Sequence, residues 1–433
     1  MRILPDSGTE RGGGSVISPI EGWIAERTGL GSRLNSKALL EWKLEKVRRL
    51  VEYVREHSRF YAERLKGIDP DMLHCFSDLQ NIPFTMPADL MQEPRDFVCV
   101  PQREVSRIIT LNTSGSMGIP KRIYFTGRDL ESTVDFFAWG MSTMVRSGQI
   151  VLVLMSGRTP YGVGDLLGKG LERIGVSAII HGNIGNMEAV AEMTQKADCL
   201  VGLPGEMIGL CRRYRELRPG SVLLSADYVP ESVIGSIEET WDCRVFTHYG
   251  MTETGFGGGV QCSAREGYHM RDADLLLEIV DPETGLQVPD GCCGEVTVTT
   301  LSREAMPLLR YRTGDMASMI SGICPCGGSL PRLGKVVGRR SNIISTSGGG
   351  QLSIHQLDEI MYRRPEINNY SARLVYSESK PVLELVVDSS HCKGERELIG
   401  YILGSLECDV EIKLSFGNLK PDQGFEKRRI AVE

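Results

Sequence analysis

Thr113-Ser114-Gly115-Ser116-Met117-Gly118-Ile119-Pro120-Lys121 follows the apolar positions Ile108, Ile109 and Leu111, which read as a buried strand. A loop of Gly, Ser and Thr at a strand's end can converge its backbone N–H groups on a polyphosphate, because no Cβ blocks close approach. The hydroxyls of Thr113, Ser114 and Ser116 add donors, and Lys121 adds a positive charge. The G-x-x-x-x-G-K-[ST] spacing of a Walker A loop is absent. An ordinary polar turn has a similar composition, so the surrounding segments decide between the two readings.

Downstream of this loop, short apolar runs alternate with helix-like segments to about residue 250. The candidate strands are Ile150–Met155, Val176–Ile180, Cys199–Val201, Val222–Leu224 and Val245–Thr247. Such alternation predicts an α/β fold with a layered, largely parallel sheet. Past residue 270, Leu276–Val280 and Glu295–Thr299 flank the turn Asp281-Pro-Glu-Thr-Gly285 and read as a smaller antiparallel piece. After Gly338 the order is helix (352–362), strand (372–376), strand (382–387), helix (394–405) and strand (409–415). The expected division is a large N-terminal domain, 1–337, and a small C-terminal α+β lid domain, 338–433. Upstream, residues 1–35 read as a loose lead-in, and Leu40, Leu44, Val47, Val51 and Val54 fall at helical spacing.

At 433 residues, two domains are expected. Hydrophobic residues at 41% and charged residues at 24% are those of a water-soluble globular chain. A net charge of −7 argues against a nucleic-acid partner. No apolar run reaches the roughly 18–20 residues of a membrane span, and the start lacks a signal-peptide core. A cytoplasmic location follows as the expectation. Its 12 cysteines are then thiols or metal ligands more readily than disulfides.

Two further motifs carry chemistry. Tyr249-Gly250-Met251-Thr252-Glu253-Thr254-Gly255 closes a strand with a hydroxyl beside a carboxylate. Thr252 can meet a phosphate and Glu253 its Mg²⁺, although a solvated turn has the same residues. In Leu309-Arg310-Tyr311-Arg312-Thr313-Gly314-Asp315, the carboxylate after Gly can accept both hydroxyls of a ribose or simply cap a turn.

Taken in order and at these separations, the three motifs make the chain resemble the adenylate-forming enzymes, in their phenylacetate–CoA ligase-like branch. The likeness runs from about residue 40 and includes Ser58-Arg59-Phe60-Tyr61, Asp78-Leu79 and Ile82-Pro83-Phe84-Thr85. It implies a large domain with a mobile lid. It also implies an ATP-dependent reaction that turns a carboxylic acid into acyl-AMP, with pyrophosphate released, before transfer to coenzyme A. By the same resemblance, Thr113, Ser114, Gly115, Ser116, Gly118 and Lys121 hold the ATP phosphates, and Ser225-Ala226-Asp227 lies near the adenine and acyl groups. Tyr249, with Gly250 beside it, flanks the adenine; Thr252 meets the α-phosphate, Glu253 the Mg²⁺ and Asp315 the ribose; Arg339 supports the nucleotide. Phe136–Trp139, Tyr161–Asp165, Gly202–Glu206 and Asp227–Tyr228 supply an acyl pocket for an aryl or medium-sized acid.

The chain departs from that pattern near its end. Arg340-Ser341-Asn342 stands where an acidic hinge residue is usual, and Ser345-Thr346-Ser347-Gly348-Gly349-Gly350 replaces an Arg-Gly-Val-Asn-like segment. In Gly424-Phe425-Glu426-Lys427-Arg428-Arg429-Ile430, Lys427 is the candidate adenylation lysine, one residue out of register. Transfer to a carrier-protein thiol or an amine, or a non-catalytic nucleotide- or acyl-binding role, therefore stand as alternatives. A homodimer is among the assemblies allowed.

Cys324-Pro325-Cys326-Gly327-Gly328 has the form of a thiolate knuckle, with Cys262 and His269 upstream. Together these form a candidate closed, tetrahedral Cys₃His site for structural Zn²⁺. Buried thiols and a solvated His are the plainer alternative. Similar Cys/His sets occur in some members of the resembled branch.

Overall fold

A computed structural model describes residues 18–31, 34–111, 120–157, 159–339, 342–346, 350–376, 380–389, 394–417, 419 and 428–432. The chain forms two compact units, one of Met1–Ser147, Thr159–Val176 and His248–Val336, the other of Gly148–Arg158, Ser177–Thr247 and Val337–Glu433.

In the first unit, the helix Ser36–His57 starts where the Asn35 side chain accepts from the amides of Lys37 and Ala38. Its Leu44, Val47, Val51 and Val54 recur every three or four residues and are all buried, as the periodicity predicts. Residues 1–35 are not simply a lead-in. Pro19–Thr28 is a helix whose Ile20, Trp23 and Ile24 are buried against Phe136 and Trp139. Full burial of such side chains is worth about 2–3 kcal/mol each, enough to dock three turns of helix.

The strand before the Gly-rich loop also differs from expectation. Val105–Leu111 pairs antiparallel with Lys121–Thr126 as a two-stranded sheet, and alternate residues face outward, with Ile108 47% exposed. One covered face gives this alternation, whereas a strand inside a parallel sheet is covered on both. The helix Gly127–Met141 begins on a reciprocal Thr126–Asp129 capping box. Leu275–Val280, Gly294–Thr300 and Tyr311–Ala317 form consecutive antiparallel neighbours. A second antiparallel run joins Gly259–Val260, Tyr268–Met270, Arg332–Leu333 and Met319–Ile320.

The second unit holds the parallel sheet, in the order Ser177–Ile180, Ile150–Leu154, Cys199–Gly202 and Ser221–Leu224, followed by the strand that starts at Arg244. The C-terminal stretch adds the helices Ile354–Tyr362 and Glu395–Ser405. It also adds a sheet in which Val382–Ser389 lies between Glu411–Phe416 and Ile367–Val375. One apolar core runs from Leu152 and Leu200 through Ile237 to Leu357, Leu374 and Ile402. Beside this core, Glu359 accepts Tyr228 OH at 3.0 Å and the Glu231 amide at 2.8 Å. No helix among the described residues is long and apolar enough to cross a membrane.

Candidate functional site

The strand Arg244–Tyr249 ends in a tight turn. Phe256 N donates to Met251 O at 2.8 Å, Gly255 N to Thr252 O at 3.0 Å, and Gly258 N to Tyr249 O at 2.9 Å. A Cβ at Gly250 would fall 2.2 Å from the Phe256 carbonyl oxygen, so only glycine lets the chain fold back this closely. The turn leaves Thr252 half-buried and buries Glu253.

Glu253 meets Lys121 and Tyr311. The Lys121 ammonium pairs with Glu253 Oε1, and Tyr311 OH donates to the same oxygen at 3.1 Å. Lys121 also donates to Tyr311 OH at 3.1 Å. Tyr311 begins the strand Tyr311–Ala317, and Asp315 lies four residues further along the same buried face. Asp315 in turn accepts Tyr249 OH at 3.1 Å. Tyr249 and Glu253 on the turn thus face Asp315 and Tyr311 on the strand. Three motifs far apart in sequence come to one place in the first unit. Thr113, Ser114, Gly115, Ser116 and Gly118 lie outside the described residues, as does Lys427.

Arg310, quoted with the same motif, has another task. Its guanidinium binds Glu278 at 2.9–3.1 Å and the Ile82 carbonyl at 2.8 Å, all buried. It ties the strand to the core. Behind the turn, Arg303 Nη2 donates to Glu253 O at 3.4 Å and its guanidinium lies 4.5 Å from the Phe125 ring centre. Arg303 was not foreseen from sequence, since nothing in Ser302-Arg303-Glu304 distinguishes it from a surface arginine.

In the second unit, Ser225-Ala226-Asp227 follows the strand Ser221–Leu224. Ala226 has φ +71°, a left-handed conformation unusual for a residue with a side chain and one that concentrates at functional turns. The Ser225 amide bonds Gly202 O at 3.0 Å, and Asp227 Oδ2 accepts the Arg428 amide at 3.4 Å. Arg339 lies in the short strand Gly338–Arg339.

The Cys/His set is also brought together. Cys262, His269, Cys324 and Cys326 are all buried, and their ligand atoms lie within 4.8 Å of one another. Cys262 Sγ is 3.6 Å from Cys324 Sγ, and Cys326 Sγ is 3.5 Å from His269 Nε2. Two sulfurs each about 2.3 Å from one tetrahedral ion would be about 3.8 Å apart, so the donor set fits zinc. The knuckle is closed by Gly327 N to Cys324 O and by Cys324 N to Gly328 O, both 2.8 Å. A hydrogen bond from Cys326, together with His269 and the Ala264 amide, holds the Cys262 thiol well below its ordinary range, against the effect of burial. That favours a thiolate, the form that ligates metal. Cys292 and Cys293 are exposed and belong to no such group.

This order of elements is the fold of the adenylate-forming enzymes. The structure of a 2-hydroxyisobutyryl-CoA ligase, in the postadenylation state with 2-HIB-AMP, superposes with a TM-score of 0.82 at 21% identity, covering 99% of this chain and 95% of that one. No family model matches the chain. Among characterised relatives, the phenylacetate–coenzyme A ligase of Thermus thermophilus is 29% identical over 343 residues, 75% of each chain. That of Pseudomonas putida is 27% identical over 398 residues, 84% of this chain and 85% of the other. The chain is thus similar to phenylacetate–coenzyme A ligases over three quarters or more of their length.

Proposed function

We propose that the protein activates an aryl or medium-sized carboxylic acid as acyl-AMP at the expense of ATP, and then passes the acyl group to coenzyme A. The observation that carries this reading is the buried Lys121–Glu253–Tyr311 cluster. It sits next to the Tyr249–Asp315 bond, in a chain whose relatives are phenylacetate–CoA ligases.

The pairing explains how the site waits for substrate. An isolated charge in so covered a place is costly, so Lys121 and Glu253 neutralise each other. Lys121 would hold the ATP phosphates and Glu253 would hold Mg²⁺, each exchanging its present partner for the substrate's charge. Mg²⁺, when bound, supplies charge neutralisation on the phosphates. Tyr311 keeps Glu253 in place, Thr252 donates to the α-phosphate, and the Gly-rich loop from Thr113 to Gly118 cradles the others. Asp315, oriented by Tyr249, accepts the ribose hydroxyls. The substrate carboxylate oxygen bonds to the α-phosphorus as the bond to pyrophosphate breaks. The thiol sulfur then bonds to the acyl carbon as AMP leaves. The protein's contribution is positioning and charge, as in phosphoryl transfer generally. Residues 338–433 act as the lid, with Arg339 at the nucleotide and Lys427 at the reacting carboxylate.

A panel of carboxylic acids in an ATP–pyrophosphate exchange assay tests the first half. At least one acid should drive exchange, and adding coenzyme A should then yield its thioester. Exchange without thioester would move the acceptor to a carrier thiol or an amine. ATP binding without exchange for any acid would leave a nucleotide-binding protein.

The Cys₃His set holds a structural zinc in the same reading. Purified protein should contain about one zinc per chain. Cys326→Ser should lower both zinc content and melting temperature, because binding energy at such a site is folding energy. Metal-free protein with unchanged melting would make these ordinary buried thiols.

A further inference from the structure

Glu21 is buried in the first turn of the helix Pro19–Thr28, 4% exposed. An acid there is common enough beside the helix dipole, but its oxygens do not face solvent. Oε2 accepts the Ser329 amide at 3.0 Å and the Ser329 hydroxyl at 3.3 Å, and Oε1 accepts the Leu330 amide at 3.0 Å. Oε1 also lies 3.7 Å from His269 Nδ1, while the other ring nitrogen faces Cys326. Among the described residues, His269 is the only basic side chain found within 4 Å of the Glu21 carboxylate. A Cβ at Gly328 would fall 2.5 Å from Glu21 Oε1 and 2.7 Å from His269 Cε1, so the knuckle needs glycine to admit the carboxylate.

We infer that Glu21 is a positioning residue for the metal centre and that the ion, through His269, fastens the N-terminal helix to the body of the first unit. The inference rests on the zinc reading above. A histidine that ligates through Nε2 carries its proton on Nδ1, and a carboxylate facing that N–H fixes the tautomer and the ring. Here the same carboxylate also ties down the amides just after the two knuckle cysteines. One side chain therefore joins ligand, ligand loop and helix. On the helix's other flank, Trp23 Nε1 donates to Asp135 at 2.8 Å and the Trp23 ring packs edge-on to Phe136 at 5.6 Å. Metal binding and helix docking are then linked, and linkage is reciprocal: what weakens one weakens the other.

The test uses the full chain with Zn²⁺, and with Co²⁺ as a spectroscopic reporter. Glu21→Gln keeps shape but turns one acceptor into an NH₂ group, which opposes either the His269 N–H and the Leu330 amide, both at Oε1, or the Ser329 amide at Oε2. It should lower Zn²⁺ affinity, by competition with a chelating dye, about 10- to 100-fold. The Co²⁺ ligand-field bands of the variant should shift. Amide hydrogen exchange in residues 18–31 should speed up in metal-stripped wild type and in Glu21→Gln, with little change in the helix Ser36–His57. Should Glu21→Gln fail to fold, metal-stripped wild type still reads the linkage by exchange alone. Metal-loaded wild type with exchange at 18–31 indifferent to metal would overturn the inference and leave the zinc reading standing. Wild type that takes up neither ion after reconstitution would overturn both.

Discussion

Glu253→Gln and Asp315→Ala each lower carboxylate-dependent exchange of pyrophosphate into ATP by about ten- to a hundred-fold or more, with the melting temperature within a few degrees of wild type. The magnitude follows from charge-assisted contacts of about 1.5–3 kcal/mol apiece. In Glu253→Gln the side chain keeps its length and can still accept Tyr311 OH, now 3.1 Å from the carboxylate. It loses the charge proposed to draw a divalent cation, and the charge that balances Lys121. Lys121 retains the Tyr311 hydroxyl as a partner, which limits the stability cost. Asp315→Ala removes the proposed ribose acceptor and leaves Tyr249 OH without the carboxylate it donates to. That change should raise the apparent KM for ATP more than it lowers turnover, because the ribose is gripped in ground and transition states alike. Glu253→Gln should act mainly on turnover and raise the Mg²⁺ concentration needed. Near-normal exchange in both variants would end the assignment.

Much of this arrangement was legible in the sequence, for identifiable reasons. The parallel strands from Ile150 to Thr247 are short apolar runs between helical periods, and each appears within a residue or two of its expected place. Cys262, His269, Cys324 and Cys326 could be grouped because thiol and imidazole chemistry narrows the choice, whatever the distance along the chain. Glu21 and Arg303 could not be found that way. Glu21 meets Ser329 across 308 residues, and nothing local separates it from any first-turn acid. Arg303 acts through a backbone carbonyl, a contact that leaves no mark on its neighbours in sequence. The helix Pro19–Thr28 was missed because its buried face is only Ile20, Glu21, Trp23 and Ile24, too few positions to show a period. The strand Val105–Leu111 misleads for the opposite reason, since adjacent apolar residues at 108 and 109 suggest two covered faces where the structure covers one.

The lid residues give the other large effect, and the structure sharpens it by accounting for Arg428. Its guanidinium donates to Asp358 Oδ1 at 2.6 Å, Tyr362 OH at 2.7 Å and the Tyr370 carbonyl at 2.9 Å, and it is fixed within the second unit. A cation so committed is poorly placed to serve the reacting carboxylate as well. Arg428→Met should therefore behave as a structural lesion, costing about 3–5 kcal/mol by stranding a buried carboxylate. Its pH dependence has a definite sign. Burial pushes the Asp358 carboxyl up to about 7, with Arg428 opposing the rise. A carboxyl raised above its unfolded value contributes stability that is complete in acid and lost as pH climbs through the folded value. Without Arg428 that value moves higher still, so the variant's deficit should widen as pH rises past about 7. Lys427→Ala should differ in kind. A lysine suits the adenylation step as a compact charge on a flexible stem, able to reach both the acid and the α-phosphate. Its loss should abolish acyl-adenylate formation from acid and ATP with melting unchanged. Thioester formation from pre-made acyl-adenylate and coenzyme A should survive, because in the proposed reaction Lys427 serves the adenylation step alone. Adenylation that persists in Lys427→Ala would pass the role to Lys420, or mean that this chain has given up the family's lid chemistry.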